Sequence, residues 1–345
     1  MLGRCKAGFM SIQSRSASPP GMAAAAVVVL VGTLISIYIV SQFLRNSVGV
    51  IAPNLAAELG LSPAELGTLS SAFFFAFAAV QIPLGMALDR FGPRLCLLVC
   101  AGITVGGIIL FASATSPGGL ILARALQGLG ASASLIASLA IYARRFPPDR
   151  FATLAGLQVG VGTVGTLIAT APLAFSTVAI GWRGSFLLVA AITCLIGVVL
   201  IFVVKDDGAS ASHGRHETLA ESLSGILTVI RTPSLGRLFL MNMVVYSSFA
   251  LIVGLWGGPY LTHVYGYDLE ARGSFLLIPV LGQIVGSLLW GPMDRLAGGY
   301  KLPVVLGATA TAAAFGYLAV VGTLAPAALI VWFAAFGFVC AYGRC

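Results

Sequence analysis

The 345-residue chain is 59% hydrophobic and only 9% charged, with a mean hydropathy of +1.02. A water-soluble domain carries about 25% charged residues, so this composition excludes a soluble enzyme or binding module and leaves an integral membrane protein. A net charge of +8 raises a nucleic-acid partner, which the placement of the basic residues removes.

In chain order, residues 1–21 are polar and carry Arg4, Lys6 and Arg15. The apolar run that follows, from Met22, exceeds the 7–15 residues of a secretory leader and is expected to stay in the membrane as a first span reaching about Ala52. A bilayer core of about 30 Å needs about 20 apolar helical residues. By that measure nine more spans fall near 66–88, 95–113, 119–143, 152–174, 185–204, 237–261, 272–292, 302–323 and 326–343. Fifteen of the 19 Lys and Arg residues lie in connections on the N-terminal side, against Arg183 and Arg272 on the other; Arg45 and Arg124 fall inside spans. Positive residues mark the cytoplasmic face, so the N-terminus is expected there, with the chain multi-pass in the inner membrane. The basic excess is then a topology signal, and no nucleic acid is expected.

Residues 205–236 form the longest connection, with Leu219, Leu223, Ile226, Leu227 and Ile230 at helical spacing, which predicts an amphipathic interfacial helix. It divides a six-span bundle, 22–204, from a four-span bundle, 237–345. An internal repeat supports that division. Pro53, Gly60 and Gly67 recur as Pro259, Gly266 and Gly273 at the same intervals of seven, and each series leads to an Asp-Arg pair, Asp89-Arg90 and Asp294-Arg295, 22 and 21 residues on.

Gly85-x-x-x-Asp89-Arg90-x-Gly92-x-Arg94 resembles the signature loop of the major facilitator superfamily. Leu122-x-Arg124-x-x-Gln127-Gly128-x-Gly130 is similar to its second motif, and Gly181-Trp182-Arg183-x-x-Phe186 is also common there. The resemblance implies an all-α polytopic fold of two pseudo-symmetric helical bundles, about ten of the usual twelve spans being present. It further implies a secondary transporter of a small solute, with or without a coupling ion, working by alternating access as a monomer in the lipid bilayer. The glycines of the fifth span (Gly156, Gly160, Gly162, Gly165) lack the Gly-Pro pair of the drug antiporters. Two fewer spans than the family norm predict a C-terminally truncated chain with an impaired cycle. In the family the acid at Asp89 is thought to dock near the start of an eleventh helix, and Asp294 near the start of the fifth, at 150–152.

Buried charge is the default functional candidate, because Arg at a helix centre costs about 2.5–3.5 kcal/mol even on the lenient insertion scale. Tyr38, Gln42, Arg45 and Gly49 share one face of the first span, predicting a polar stripe on a watery cavity with Arg45 gripping a carboxylate or oxyanion. The alternative is an Arg45 that snorkels to the outer headgroups. Arg45-Asn46…Pro53 also resembles the first helix of the anion:cation symporters, whose arginine is implicated in carboxylate binding. The acids usual in that branch are Leu44 and Ala131 here, and none of the eleven acids sits mid-membrane, so proton symport through a membrane carboxylate is unsupported. The seventh span supplies no second arginine, since Leu251 stands eight before Pro259. A monocarboxylate is therefore ranked first and nitrate or nitrite second. Gln158, Asn242, Tyr246 and Gln283 are further candidate cavity liners, with interhelical hydrogen bonding the alternative for each. His213 and His216 lie in a Gly- and Ser-rich loop and His263 in an outer connection. No cofactor, metal site or catalytic set is expected. A non-transporting receptor on the same fold is the competing reading.

Overall fold

Apolar runs of this length must satisfy their backbone groups internally, which in a bilayer leaves helices. The computed structural model describes residues 24–204, 236, 243–244, 246–296 and 301–341, with backbone alone for 24, 152, 288, 290–296 and 301–304. The amphipathic helix expected in 205–236, the N-terminal tail and Asn242 lie outside the described residues.

Among the described residues the elements are helices: α1 Ala24–Leu59, α2 Pro63–Ala79, α3 Gln81–Ser113, α4 Pro117–Ala131, α5 Ala133–Arg145, α6 Pro148–Gly162, α7 Val164–Ile168 and α8 Ala171–Val203. After the linker come a π-helical turn, Ile252–Trp256, then α9 Gly257–Tyr265, α10 Leu269–Leu296, α11 Lys301–Val321 and α12 Pro326–Cys340. Six of the described helices are long and apolar enough to cross a membrane, and two shorter apolar ones follow at 305–321 and 326–340. The chain is a multi-pass membrane protein.

Local chemistry sets the boundaries. Ser62 and Glu65 form a reciprocal capping box behind Pro63, satisfying two of the orphan amides at the start of α2. The same bonds, from the Ser62 amide and hydroxyl, hold the Glu65 carboxyl below its usual range. Ser116 accepts from the Gly119 amide at the head of α4, and Asp268 from Ala271 at the head of α10. Gly60 (φ 66°) and Gly266 (φ 68°) close α1 and α9 in the left-handed region, where a Cβ is strained. These are corresponding glycines of the internal repeat. Gly92 (φ 80°, ψ 159°) breaks α3, and Gly181 (φ 74°, ψ 162°) breaks α8. The breaks fall where the sequence separates the second span from the third and the fifth from the sixth.

Helices here are held by close backbone approach. A Cβ at Gly128 would collide with the Phe73 carbonyl, at Gly130 with Cys100 and Thr104, and at Gly107 with the Gln127 amide, so α2, α3 and α4 cross at small residues. Gly282, Gly286 and Gly337 do the same for α10 and α12. Phe111 packs tilted against Phe186 at 4.6 Å and edge-on to Trp182 at 5.7 Å inside the main apolar core. Large side chains such as Phe75, Leu195 and Phe202 stay exposed, as a lipid-facing surface requires.

The helices before residue 204 meet those after 243 through named close contacts. Gly49 lies on the Val253 and Gly254 backbone and Gly258 on the Gly49 carbonyl, while Gly273 packs into Thr170, Ala171 and Ala174. These residues fall in the far portion of α1, away from the N-terminal side, and at the matching ends of α8, α9 and α10. There Arg272 Nη2 donates to Asn54 at 2.7 Å and Nη1 to Thr262 at 3.0 Å.

Candidate functional site

α1 runs unbroken through Arg45 and past Pro53 to Leu59, so Arg45 stands well inside a helix rather than at its outer end. Its Nη1 donates to the Tyr246 hydroxyl at 3.2 Å, and the guanidinium lies 4.3 Å over the Phe77 ring, a favourable cation–π distance. Tyr246 in turn meets Phe74 edge-on at 6.2 Å. Arg45 therefore sits between α2 and the segment leading into the π turn, partly exposed, with its Nε buried and unpartnered.

The rest of the α1 stripe is more packed than its polarity predicts. Tyr38 and Gln42 are only 5% and 7% exposed. Gly162 leaves its place to the Tyr38 ring, and Gly165 abuts the Ile39 carbonyl and the Gln42 β-carbon. The missing side chains of α6 and α7 let those helices close on α1, filling space that the sequence assigns to water. Gln42 Oε1 is left buried without a partner. Asn46 Nδ2 donates to the Gln42 carbonyl at 2.9 Å and to Thr166 at 3.3 Å. Gln158 is fully buried, donating to the Leu34 carbonyl at 3.0 Å and accepting from the Tyr142 hydroxyl at 2.7 Å. Both ends of its amide are engaged, so it ties helices together. Gln283 is buried in α10.

A second guanidinium lies on the same aromatic pair. Arg124 is 0% exposed and turns inward, with Nη1 donating to the Leu44 carbonyl at 2.7 Å and to Gln127 Oε1 at 2.9 Å. It stands 4.4 Å over Phe73, whose ring is near-parallel to that of Phe77 at 6.4 Å. Gln127 Nε2 passes the bond on to the Gly107 carbonyl at 3.2 Å. Arg124 Nε and Nη2 are buried without partners. The motif in the sequence holds Arg124 and Gln127 three residues apart but says nothing of the two phenylalanines, which carry a readable signal: their spacing of four puts both rings on one face of α2.

In the signature loop, Asp89 and Arg90 are exposed at the end of the first limb of α3, and Gly85 has open space around it. Gly92 supplies the positive φ, and Arg94 Nη2 donates to the Ile201 carbonyl at 3.0 Å, placing a cation at the C-terminal turn of α8 where free carbonyls gather. Asp294 and Arg295 belong to the last turn of α10; their side chains lie outside the described residues. At the opposite end, Trp182 Nε1 donates to Glu58 at 2.6 Å, Arg183 pairs with the same carboxylate, and Arg183 Nη2 donates to the Ala114 carbonyl at 3.0 Å. Glu58 was not among the residues singled out from sequence.

Comparison with known proteins places this geometry. The family model described as Major Facilitator Superfamily matches residues 34–343. Among curated proteins, the chain is 25% identical over 283 residues to the probable sulfoacetate transporter of Cupriavidus necator, covering 77% of this chain and 65% of that one. It is also 25% identical over 282 residues to the probable L-galactonate transporter of Escherichia coli K12, covering 75% and 60%. The chain thus spans less than two thirds of the length of these relatives. Among solved structures, a bacterial homolog of the human lysosomal transporter Spinster, inward-facing and unoccupied, superposes with a TM-score of 0.72 at 20% identity, covering 94% of this chain and 74% of that one. That likeness is one of fold.

Proposed function

Because the chain belongs to the Major Facilitator Superfamily, we propose that it is a secondary transporter moving a small organic or inorganic monoanion by alternating access. Its working parts are the bundles 22–204 and 237–345, joined by the linker 205–236. It resides as a monomer in the inner membrane with its N-terminus in the cytoplasm, in keeping with the basic excess on that side. The observation that carries the anion reading is Arg45: a guanidinium between the two sets of helices, held by a tyrosine hydroxyl and a phenyl face, with a buried Nε that has no partner. A carboxylate or planar oxyanion accepts two parallel hydrogen bonds from such a group. Gln42 Oε1, also unpartnered, is suited to a hydroxyl of the same solute. The names of the two curated relatives, a probable sulfoacetate transporter and a probable L-galactonate transporter, favour an organic anion, and L-galactonate is the singly charged one of the two.

The test is calorimetric titration of the purified chain with L-galactonate and, in parallel, nitrate. A hydrogen bond to a charged group contributes about 1.5–3 kcal/mol, so Arg45→Ala is expected to weaken binding by roughly 10- to 150-fold, with Arg45→Lys in between. Binding that survives Arg45→Ala at full affinity removes Arg45 from the site.

A further inference from the structure

Within the π turn Ile252–Trp256 the helix is closed by the Gly257 amide, which donates to the Ile252 carbonyl five residues back. That is the bonding of an α-helix with one residue inserted, a form found mostly at functional sites. The turn rests on the stretch of α1 that carries Arg45: the Val253 carbonyl lies against Gly49, and Gly254 faces the Arg45 carbonyl and Asn46. Gly254, Gly257 and Gly258 are poor helix formers, so the backbone here can change its bonding with little steric hindrance.

The two sides of the turn are held unequally. Downstream, Gly258 sits on the Gly49 carbonyl and Leu261 is buried, which fixes α9. Upstream, Phe249 alone of residues 246–251 is buried. Tyr246 is held there by its hydroxyl, which accepts from Arg45 Nη1 at 3.2 Å, and by its edge-on contact with Phe74. Its neighbour Ser247 is exposed, its hydroxyl bonding within its own helix to the Met243 carbonyl at 2.6 Å.

We infer that Tyr246 is a lid on the anion site and that a change of register in the π turn withdraws it; this rests on the anion reading above. When the inserted residue is taken up into regular helix, the segment upstream moves by one residue, about 1.5 Å along the axis and 100° around it. Ser247 then takes the place of Tyr246. A phenol is exchanged for a hydroxymethyl group, and Arg45, whose Nε has no partner, is uncovered. The same step takes the Phe249 ring out of the core and brings Ala250 toward it, so the π register is the resting one. A carboxylate is a stronger acceptor than a phenol. It competes with Tyr246 for Arg45 and so favours the withdrawn register, the differential affinity that a ligand-driven shift requires.

The experiment is calorimetric titration of the purified full chain and three variants with L-galactonate, repeated with nitrate. Ser247→Tyr puts a phenol where the shift brings residue 247, so either register covers Arg45. Binding is expected to weaken at least about tenfold, the scale of one hydrogen bond to a charged group. Tyr246→Ser uncovers Arg45 in the resting register and is expected to tighten binding by about tenfold, because more of the chains are competent to bind. The double variant Tyr246→Ser/Ser247→Tyr exchanges the two side chains and should bind like Tyr246→Ser, its resting register leaving Arg45 open. A double variant as weak as Ser247→Tyr alone means that the new tyrosine acts by bulk, and overturns the inference. Wild-type affinity in folded Ser247→Tyr overturns the register shift, and unchanged or weaker binding by Tyr246→Ser overturns the lid; both leave the anion reading standing. A wild-type chain that binds neither probe overturns the anion reading, and the lid with it.

Discussion

Glu58 gathers more of the first bundle than any motif announces. Its carboxylate takes the Trp182 indole and the Arg183 guanidinium, which stacks 4.2 Å over Trp182 and reaches on to the Ala114 carbonyl. One side chain so joins the end of α1, the end of α3 and the restart of α8 after Gly181. The Glu58 side chain is 45% exposed, so solvent screens the ion pair and the hydrogen bond from Trp182 dominates. Glu58→Ala is expected to cost about 1 kcal/mol, read as a lower midpoint in thermal unfolding in detergent. Glu58→Gln should recover most of it, because its amide oxygen still accepts from Trp182. The Gly-Trp-Arg pattern was legible from sequence as a pattern, but its acceptor lies more than a hundred residues away and nothing local selects it. The same limit hid the Leu44 carbonyl that holds Arg124. Tyr38 and Gln42 misled for a different reason: residue type reports polarity, whereas their burial is decided by glycines on another helix.

Among the elements, glycine position proved the most readable signal. Gly60 with Gly266, and Gly92 with Gly181, mark helix ends and breaks because a left-handed φ has a short list of tolerated residues. The spans and the repeat follow from that and from run length, while the irregular turn at Ile252–Trp256 does not. It sits where α1 presses Gly49 against the Val253 carbonyl, and it precedes Pro259, which has no amide to offer the turn before it. Gly49→Ala forces a methyl into that backbone. A cost of about 1–3 kcal/mol is expected from such overpacking, read as a lower midpoint in thermal unfolding in detergent. Gly32→Ala is the control: the space around Gly32 is open, so the change should be neutral or slightly stabilising.

At the scale of the molecule, the named contacts between the two sets of helices end at Arg272, which is 4% exposed and bonded to Asn54 across the divide. In the proposed alternating-access cycle that far end parts, and this bond breaks when it does. A charge-assisted hydrogen bond of about 1.5–3 kcal/mol sets the expected effect of removing it. In a cysteine-free background, Ala174→Cys, which faces Gly273 across the same seam, should react with an impermeant thiol reagent about tenfold faster once Arg272→Leu or Asn54→Leu is added. Unchanged reactivity in both variants means that the seam is held by backbone packing alone.

The π turn also changes how the two halves correspond. Such a turn is an α-helix with one residue inserted, so upstream of Ile252 the second half runs one position out of step with the first. Counting back eight from Pro259 gives Leu251, but allowing for the extra residue makes Ala250 the counterpart of Arg45. Neither carries charge. On either count the second half brings no guanidinium to the position matching Arg45, and the intervals that still match, from Pro259 to Gly273, lie downstream of the turn.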